Sequence, residues 1–103
     1  MTERSKYLIL IKMDADPKDE TRFNEWYDKE HIPALQEIPD VKVYRYKITE
    51  GAPKYLTVLE VEDLNFISSE AGKKAAEKTG IQTTGIALKN TSMSKYERIY
   101  PKD

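Results

Sequence analysis

The segment that decides the fold is residues 41–61, VKVYRYKITEGAPKYLTVLEV. Residues 41–48 and residues 55–61 each alternate in polarity and are rich in β-branched and aromatic side chains, which predicts two strands. Residues 50–53 between them contain a glycine and a proline, which are typical of a turn. We therefore predict a β-hairpin with a loop of about five residues.

A strand and a helix are predicted before this hairpin. Residues 7–13, YLILIKM, are nearly all apolar, which indicates a buried and central strand. Asp16 followed by Pro17 is a favourable start for a helix, since the carboxylate caps free N–H groups. In residues 18–38, apolar and aromatic side chains recur every three or four positions and predict an amphipathic helix. Proline inside a helix costs about 3 kcal/mol, so the presence of Pro33 leads us to expect one long helix to about Glu30, then a break, then a short turn that carries Leu35.

A second helix and a last strand are predicted after the hairpin. Asp63 is expected to cap a helix over residues 64–78, residues 79–90 are expected to form a loop, and residues 91–100 alternate as in a strand. The order β-α-β-β-α-β predicts an α+β ferredoxin-like fold, with a four-stranded antiparallel sheet and both helices on one face. All 103 residues are assigned to one domain. A second copy of the chain is the simplest cover for the other face, because large exposed apolar patches are rare.

The composition excludes several classes of function. The 17 basic and 18 acidic residues are interleaved and leave a net charge of −1, so we expect neither nucleic acid nor an anionic membrane as a partner. No apolar run approaches the roughly 20 residues of a membrane span. The chain has no cysteine and one histidine, so no disulfide, thiolate site or metal site is expected. A cytoplasmic location is the expectation.

The most distinctive stretch is residues 26–35, WYDKEHIPAL, which holds the only tryptophan and the only histidine. His31 follows Tyr27 by four residues, so the two side chains share a helix face. An imidazole with a pKa of about 6.5 exchanges protons around neutral pH. One interpretation makes His31 a general acid/base in a groove lined by Trp26, Tyr27 and Leu35. The other makes it a structural residue whose ring binds a backbone carbonyl.

The hairpin supplies two further candidates. Arg45 and Tyr46 are adjacent in a strand and therefore point to opposite faces of the sheet. Arg45 is suited to hold a substrate carboxylate or phenolate, and it can also pair with Glu60 across the hairpin, which we favour. Tyr46 is a candidate substrate contact. Glu30 is expected to face solvent, since neighbours on a helix point about 100° apart.

These residues resemble the EthD-like family of the dimeric α/β-barrel superfamily. The matching positions are Trp26, Tyr27, Glu30, His31, Ile32, Pro33, Leu35, Pro39, Arg45, Tyr46, Tyr55, Leu56 and Glu60. Two departures concern the shape of the site. Asp40 stands where the family often has glycine, and Gly80, Gln82 and Thr83 stand where it tends to carry aromatic residues, which predicts a wider or differently shaped pocket.

The resemblance implies a homodimer whose two sheets pack face to face, with a pocket between helices and sheet in each subunit. It implies a small-molecule enzyme that needs neither a metal nor an organic cofactor and acts on an aromatic or polyketide-like compound. His31 would be the acid/base, with Trp26, Tyr27, Leu35, Arg45 and Tyr46 as substrate contacts. Many relatives have no assigned activity, so the alternative is a non-catalytic dimeric protein that binds a small ligand.

Two other functions on the same element order are disfavoured. RNA-recognition motifs carry exposed aromatic residues in a Lys/Arg-Gly-Phe-like setting, which residues 55–60 lack. Haem-degrading and quinol-type monooxygenases share the barrel, but the His-Ile-Pro motif of residues 31–33 does not point to them, and fold alone does not determine chemistry.

Overall fold

The computed structural model describes residues 5–81 and 84–102. Its strands form one antiparallel sheet in the order β2-β3-β1-β4, with β3 and β1 in the centre. The strands are β1 (Tyr7–Ala15), β2 (Lys42–Lys47), β3 (Tyr55–Val61) and β4 (Leu88–Glu97). The predicted ferredoxin-like α+β fold and the central position of β1 are confirmed.

The predicted hairpin is the pair β2 and β3. Arg45 lies opposite Thr57, and Val43 lies opposite Leu59. The Ile48 N–H donates to the carbonyl of Lys54 at 2.8 Å and closes the loop. Side chains of β2 and β3 therefore alternate in step between the two faces of the sheet.

The first helical stretch is continuous, so the predicted break at Pro33 is wrong. A 3₁₀ turn (Pro17–Asp19) is capped by the Asp16 side chain and leads into α1 (Glu20–Trp26), then a π-helical segment (Tyr27–His31), then α2 (Ile32–Gln36). The Ile32 N–H donates to the carbonyl of Tyr27, five residues earlier. This wider turn accommodates a proline, which has no N–H to give and whose ring would otherwise meet the carbonyl one turn back.

The second helical stretch is divided in two. The Asp63 carboxylate caps a 3₁₀ turn (Leu64–Ser68), and the Ser69 hydroxyl accepts from the Gly72 N–H at the start of α3 (Glu70–Thr79). The prediction of a single helix over residues 64–78 is therefore wrong at its start. β4 also begins and ends three residues earlier than the predicted residues 91–100.

The core lies between the helices and one face of the sheet. Its first cluster joins sheet residues Ile9, Leu59 and Val61 to Leu35 and Phe66 of the helical segments. Its second cluster joins Met13 and Tyr55 to Phe23, Trp26 and Tyr27. The helices therefore pack on a single face, as predicted.

The other face of the sheet carries tyrosine and aliphatic side chains. Tyr44, Tyr46 and Tyr96 are 43%, 57% and 51% exposed there, and Leu10 and Val58 of the two central strands are half-buried. We call this surface the open face. Within residues 5–81 and 84–102, no helix has the length and apolarity to cross a membrane.

The backbone explains one departure from the family pattern. Asp40 has a φ of 64°, in the left-handed region that glycine adopts most readily. Aspartate tolerates this region better than most residues do. The chain thus keeps the conformation that a glycine would give. Gln82 and Thr83 lie outside the described residues.

Candidate functional site

A pocket of about 240 Å³ lies between the helices and the sheet. Its sheet side is formed by Ile11, Thr57, Leu59 and Met93. Its helix side is formed by Tyr27, His31, Leu35, Phe66, Gly72 and Ala76. Most of these residues are apolar, so the few polar groups among them determine what chemistry the pocket can support.

His31 is held by two aromatic rings and by the end of α3. Its ring stacks on Trp26 with centroids 4.7 Å apart and an angle of 16° between the planes. Tyr27 meets the same ring edge-on at 5.5 Å. Nδ1 of His31 lies 3.2 Å from the Thr79 hydroxyl. These three contacts hold the imidazole in one orientation.

Burial also determines the charge of His31. Removal from water disfavours the imidazolium and lowers the pKa of His31 below its usual value of 6.5, while a hydrogen bond to the backbone of Thr79 raises it by a smaller amount. At neutral pH the ring is consequently uncharged, which is the form that accepts a proton.

Tyr27 is the second polar group of the pocket. Its side chain is only 3% exposed, and its hydroxyl lies 3.9 Å from the sulfur of Met13. Burial raises the pKa of Tyr27, against smaller opposing effects of the Thr57 hydroxyl and Arg45. The phenol therefore stays protonated at neutral pH and acts as a hydrogen-bond donor.

Arg45 packs on the ring of Tyr27 and does not line this pocket. Its guanidinium stands 4.4 Å from the centroid of the Tyr27 ring and donates to Asp28 at 3.0 Å and to Asn24 at 2.8 Å. The favoured Arg45–Glu60 ion pair is wrong. Arg45 faces the helices and lies opposite Thr57, whereas Glu60 lies opposite Lys42 on the open face.

Arg45→Ala is expected to lower the free energy of unfolding by about 1–3 kcal/mol, because it removes two charge-assisted hydrogen bonds and a cation–π contact from a largely covered side chain. Urea denaturation followed by circular dichroism measures the change. Lys74→Ala is the control, since it breaks only an exposed pair with Glu70 and should leave the midpoint unchanged. Equal midpoints for the two variants would contradict the role assigned to Arg45.

The structure brings some of the predicted site residues together and separates others. Tyr27, His31 and Leu35 line the pocket, and Trp26 supports the His31 ring from outside it. Tyr46 is on the open face, away from His31, and Glu30 is exposed as expected.

Sequence reasoning missed Thr57, Phe66 and Thr79. They lie 26 to 48 residues from His31 along the chain, and only the tertiary fold brings them to it. In residues 5–81 and 84–102, no group of three or more histidine, aspartate or glutamate side chains could hold a metal ion.

No protein-family model matches the chain, and no curated protein sequence matches it. Several solved structures have a similar fold. An EthD family protein from Bacillus halodurans C-125 has a TM-score of 0.61 and 17% identity, over 90% of this chain and 99% of that one. A putative antibiotic biosynthesis monooxygenase from Bordetella bronchiseptica has a TM-score of 0.63 and 14% identity, over 92% and 99%. The heme-degrader MhuD from Mycobacterium tuberculosis has a TM-score of 0.57 and 12% identity, over 94% and 99%.

These similarities concern the fold. The chain has the ferredoxin-like architecture of EthD-like proteins, so the resemblance first drawn from residues 26–35 is confirmed at that level. Proteins of this architecture include ones described as monooxygenases and as heme degraders, and one fold can support many different reactions.

Proposed function

We propose that the chain is a small-molecule enzyme in which His31 removes a proton from an aromatic or polyketide-like compound. One observation carries the proposal: the single histidine, uncharged at neutral pH, lines an apolar pocket together with Tyr27, whose phenol is protonated. A desolvated neutral imidazole and a fixed donor are the two groups that base-catalysed enolisation requires.

The reaction would proceed by proton abstraction from an activated carbon or a phenol. When His31 takes a proton from a carbon next to a carbonyl, the electron pair of that C–H bond forms a carbon–carbon double bond, and the π pair of the carbonyl moves to its oxygen. Tyr27 would donate a hydrogen bond to this developing oxyanion. A positioned general base contributes about 10²–10⁴-fold to such a step.

The size of the pocket favours a compact substrate. Pockets for drug-sized ligands measure about 300–1,000 Å³, whereas this one measures about 240 Å³. The heme-bound MhuD structures share the fold, but this pocket suits a molecule of one or two rings better than a porphyrin. We assign no metal or organic cofactor to the reaction.

A second copy of the chain is proposed to cover the open face. Tyr44, Tyr46 and Tyr96 are about half exposed there, and between them lie half-buried aliphatic side chains such as Leu10 and Val58. A surface with this much exposed aromatic and aliphatic area is typical of a protein–protein interface. The homodimer then leaves the His31 pocket on the helix side of each sheet.

Proton abstraction can be tested before the natural substrate is known. 2-Tetralone, a two-ring ketone with an activated CH₂ group between its aromatic ring and its carbonyl, serves as the probe. In D₂O the wild-type protein is expected to accelerate the loss of its α-proton NMR signal, and His31→Asn is expected to reduce the acceleration at least about 100-fold.

Two further variants define the site. Glu30→Gln changes an exposed neighbour of His31 and should keep the wild-type exchange rate. Ala76→Phe places a large side chain at the pocket and should weaken tetralone binding while His31 stays intact. Equal rates for wild type and His31→Asn would refute the catalytic role. Binding of tetralone without any acceleration would favour the non-catalytic ligand-binding protein.

A further inference from the structure

Three hydrogen bonds meet at Thr79, the last residue of α3. Its hydroxyl donates to the carbonyl of Ala75 at 3.0 Å, and the same oxygen lies 3.2 Å from Nδ1 of His31. Its backbone carbonyl accepts a hydrogen bond from Nε1 of Trp26 at 2.8 Å. One residue thus contacts both rings of the Trp26–His31 stack.

The count of protons determines the direction of these bonds. A threonine hydroxyl has one proton, and the Ala75 carbonyl can only accept. With that proton donated to Ala75, the hydroxyl accepts from His31, so Nδ1 must carry the hydrogen. A neutral imidazole has a single N–H, and Nε2 is then left with the lone pair.

We propose that Thr79 is a positioning residue that makes Nε2 the basic nitrogen of His31. This inference rests on the proposed function, in which His31 is the base. Thr79 touches no substrate itself, since it does not line the pocket. It acts by fixing the tautomer of His31 through its hydroxyl.

Thr79 also holds the plane of the ring and favours its charged form. By binding Trp26, its carbonyl anchors the surface against which the imidazole stacks. The end of α3 presents the negative pole of the helix dipole to Nδ1. When Nε2 takes up a proton, the resulting cation keeps its Nδ1–H bond at this pole, so the group that selects the base also stabilises the product of proton transfer.

Nuclear magnetic resonance of the single histidine tests the inference directly. With ¹⁵N-histidine labelling, wild type is expected to show the Nδ1–H tautomer. Thr79→Val keeps the shape of the side chain but loses the hydroxyl, so it should shift the tautomer toward Nε2–H and slow tetralone exchange at least about tenfold. Thr79→Ser keeps the hydroxyl and should retain both wild-type properties. Thr79→Ala replaces the valine variant if that variant fails to fold.

The tautomer of His31 tests the role of Thr79, and the exchange rate of tetralone tests the proposed function, so the two proposals can fail separately. A tautomer unchanged in Thr79→Val would overturn the role of Thr79, even if His31→Asn abolishes exchange and so supports the proposed function. A tautomer shift in Thr79→Val that Thr79→Ser prevents would support the positioning role, even if no protein accelerates exchange and the proposed function fails. A wild-type Nε2–H tautomer would also overturn the inference.

Discussion

Replacing Phe23 with alanine is expected to lower the free energy of unfolding by about 3–5 kcal/mol. Phe23 is completely buried, with its ring centroid 5.2 Å from those of both Tyr27 and Tyr55 and 6.3 Å from that of Trp26. Alanine would leave a cavity among these three rings. Because a domain is stable by only about 5–15 kcal/mol, this loss is a large share of the total.

Phe23→Ala should also disturb the position of the His31 ring. Trp26 and Tyr27 are the two rings that hold His31, so a cavity beneath them should broaden the histidine NMR signal as well as lower the urea midpoint. Phe23→Leu retains most of the volume and is expected to cost about 1–2 kcal/mol. Ile99→Ala, at a position 80% exposed, is the control and should change little. A loss below about 1 kcal/mol in Phe23→Ala would show that the rings close over the cavity.

The sheet could be predicted because short stretches of sequence specify its strands and its turn. In residues 41–61, alternation, β-branched side chains and one turn specify a hairpin without reference to any other part of the chain. The apolar residues 7–13 likewise predict a central strand, and β1 does pair with a strand on each side. Together with the helical patterns, these features determine the order of elements, and the placement of both helices on one face of the sheet follows from that order.

The helix around His31 could be predicted only in part. A proline inside a helical pattern indicates lost hydrogen bonds, and Pro33 does lie beside an irregularity. Whether the chain forms a break or a wider turn at this proline depends on how much apolar surface the neighbouring side chains bury in each case. Here the π-helical segment keeps Tyr27 and Leu35 both buried, which a break after Glu30 would not guarantee.

The contacts of His31 and Arg45 with distant parts of the chain could not be predicted from the sequence. Thr79 and His31 are 48 residues apart, and no local pattern relates a threonine at a helix end to a distant imidazole. Arg45 shows the same limit, since opposite charges on a hairpin suggested a pair with Glu60. The strand register instead turns Arg45 toward Asp28, 17 residues away.

Val58→Asp is expected to convert the proposed dimer into a monomer. Val58 sits on the open face of a central strand, between Leu10 and Tyr44 of the two neighbouring strands. A two-fold interface uses the same patch on both copies, so one substitution buries two carboxylates that repel each other. We expect the dissociation constant to rise at least about 100-fold, which corresponds to about 2.7 kcal/mol.

Light scattering at micromolar concentration measures the change. Wild type is expected at twice the chain mass of 11.9 kDa and Val58→Asp at that mass. Ala71→Asp adds the same charge to an exposed position of α3 and should leave the dimer intact. The isolated Val58→Asp subunit should stay folded, because in a monomer its carboxylate meets water and its pocket lies on the opposite side of the sheet. A wild-type mass of one chain would disprove the proposed interface and would leave the His31 site to be judged on its own contacts, which come entirely from one copy.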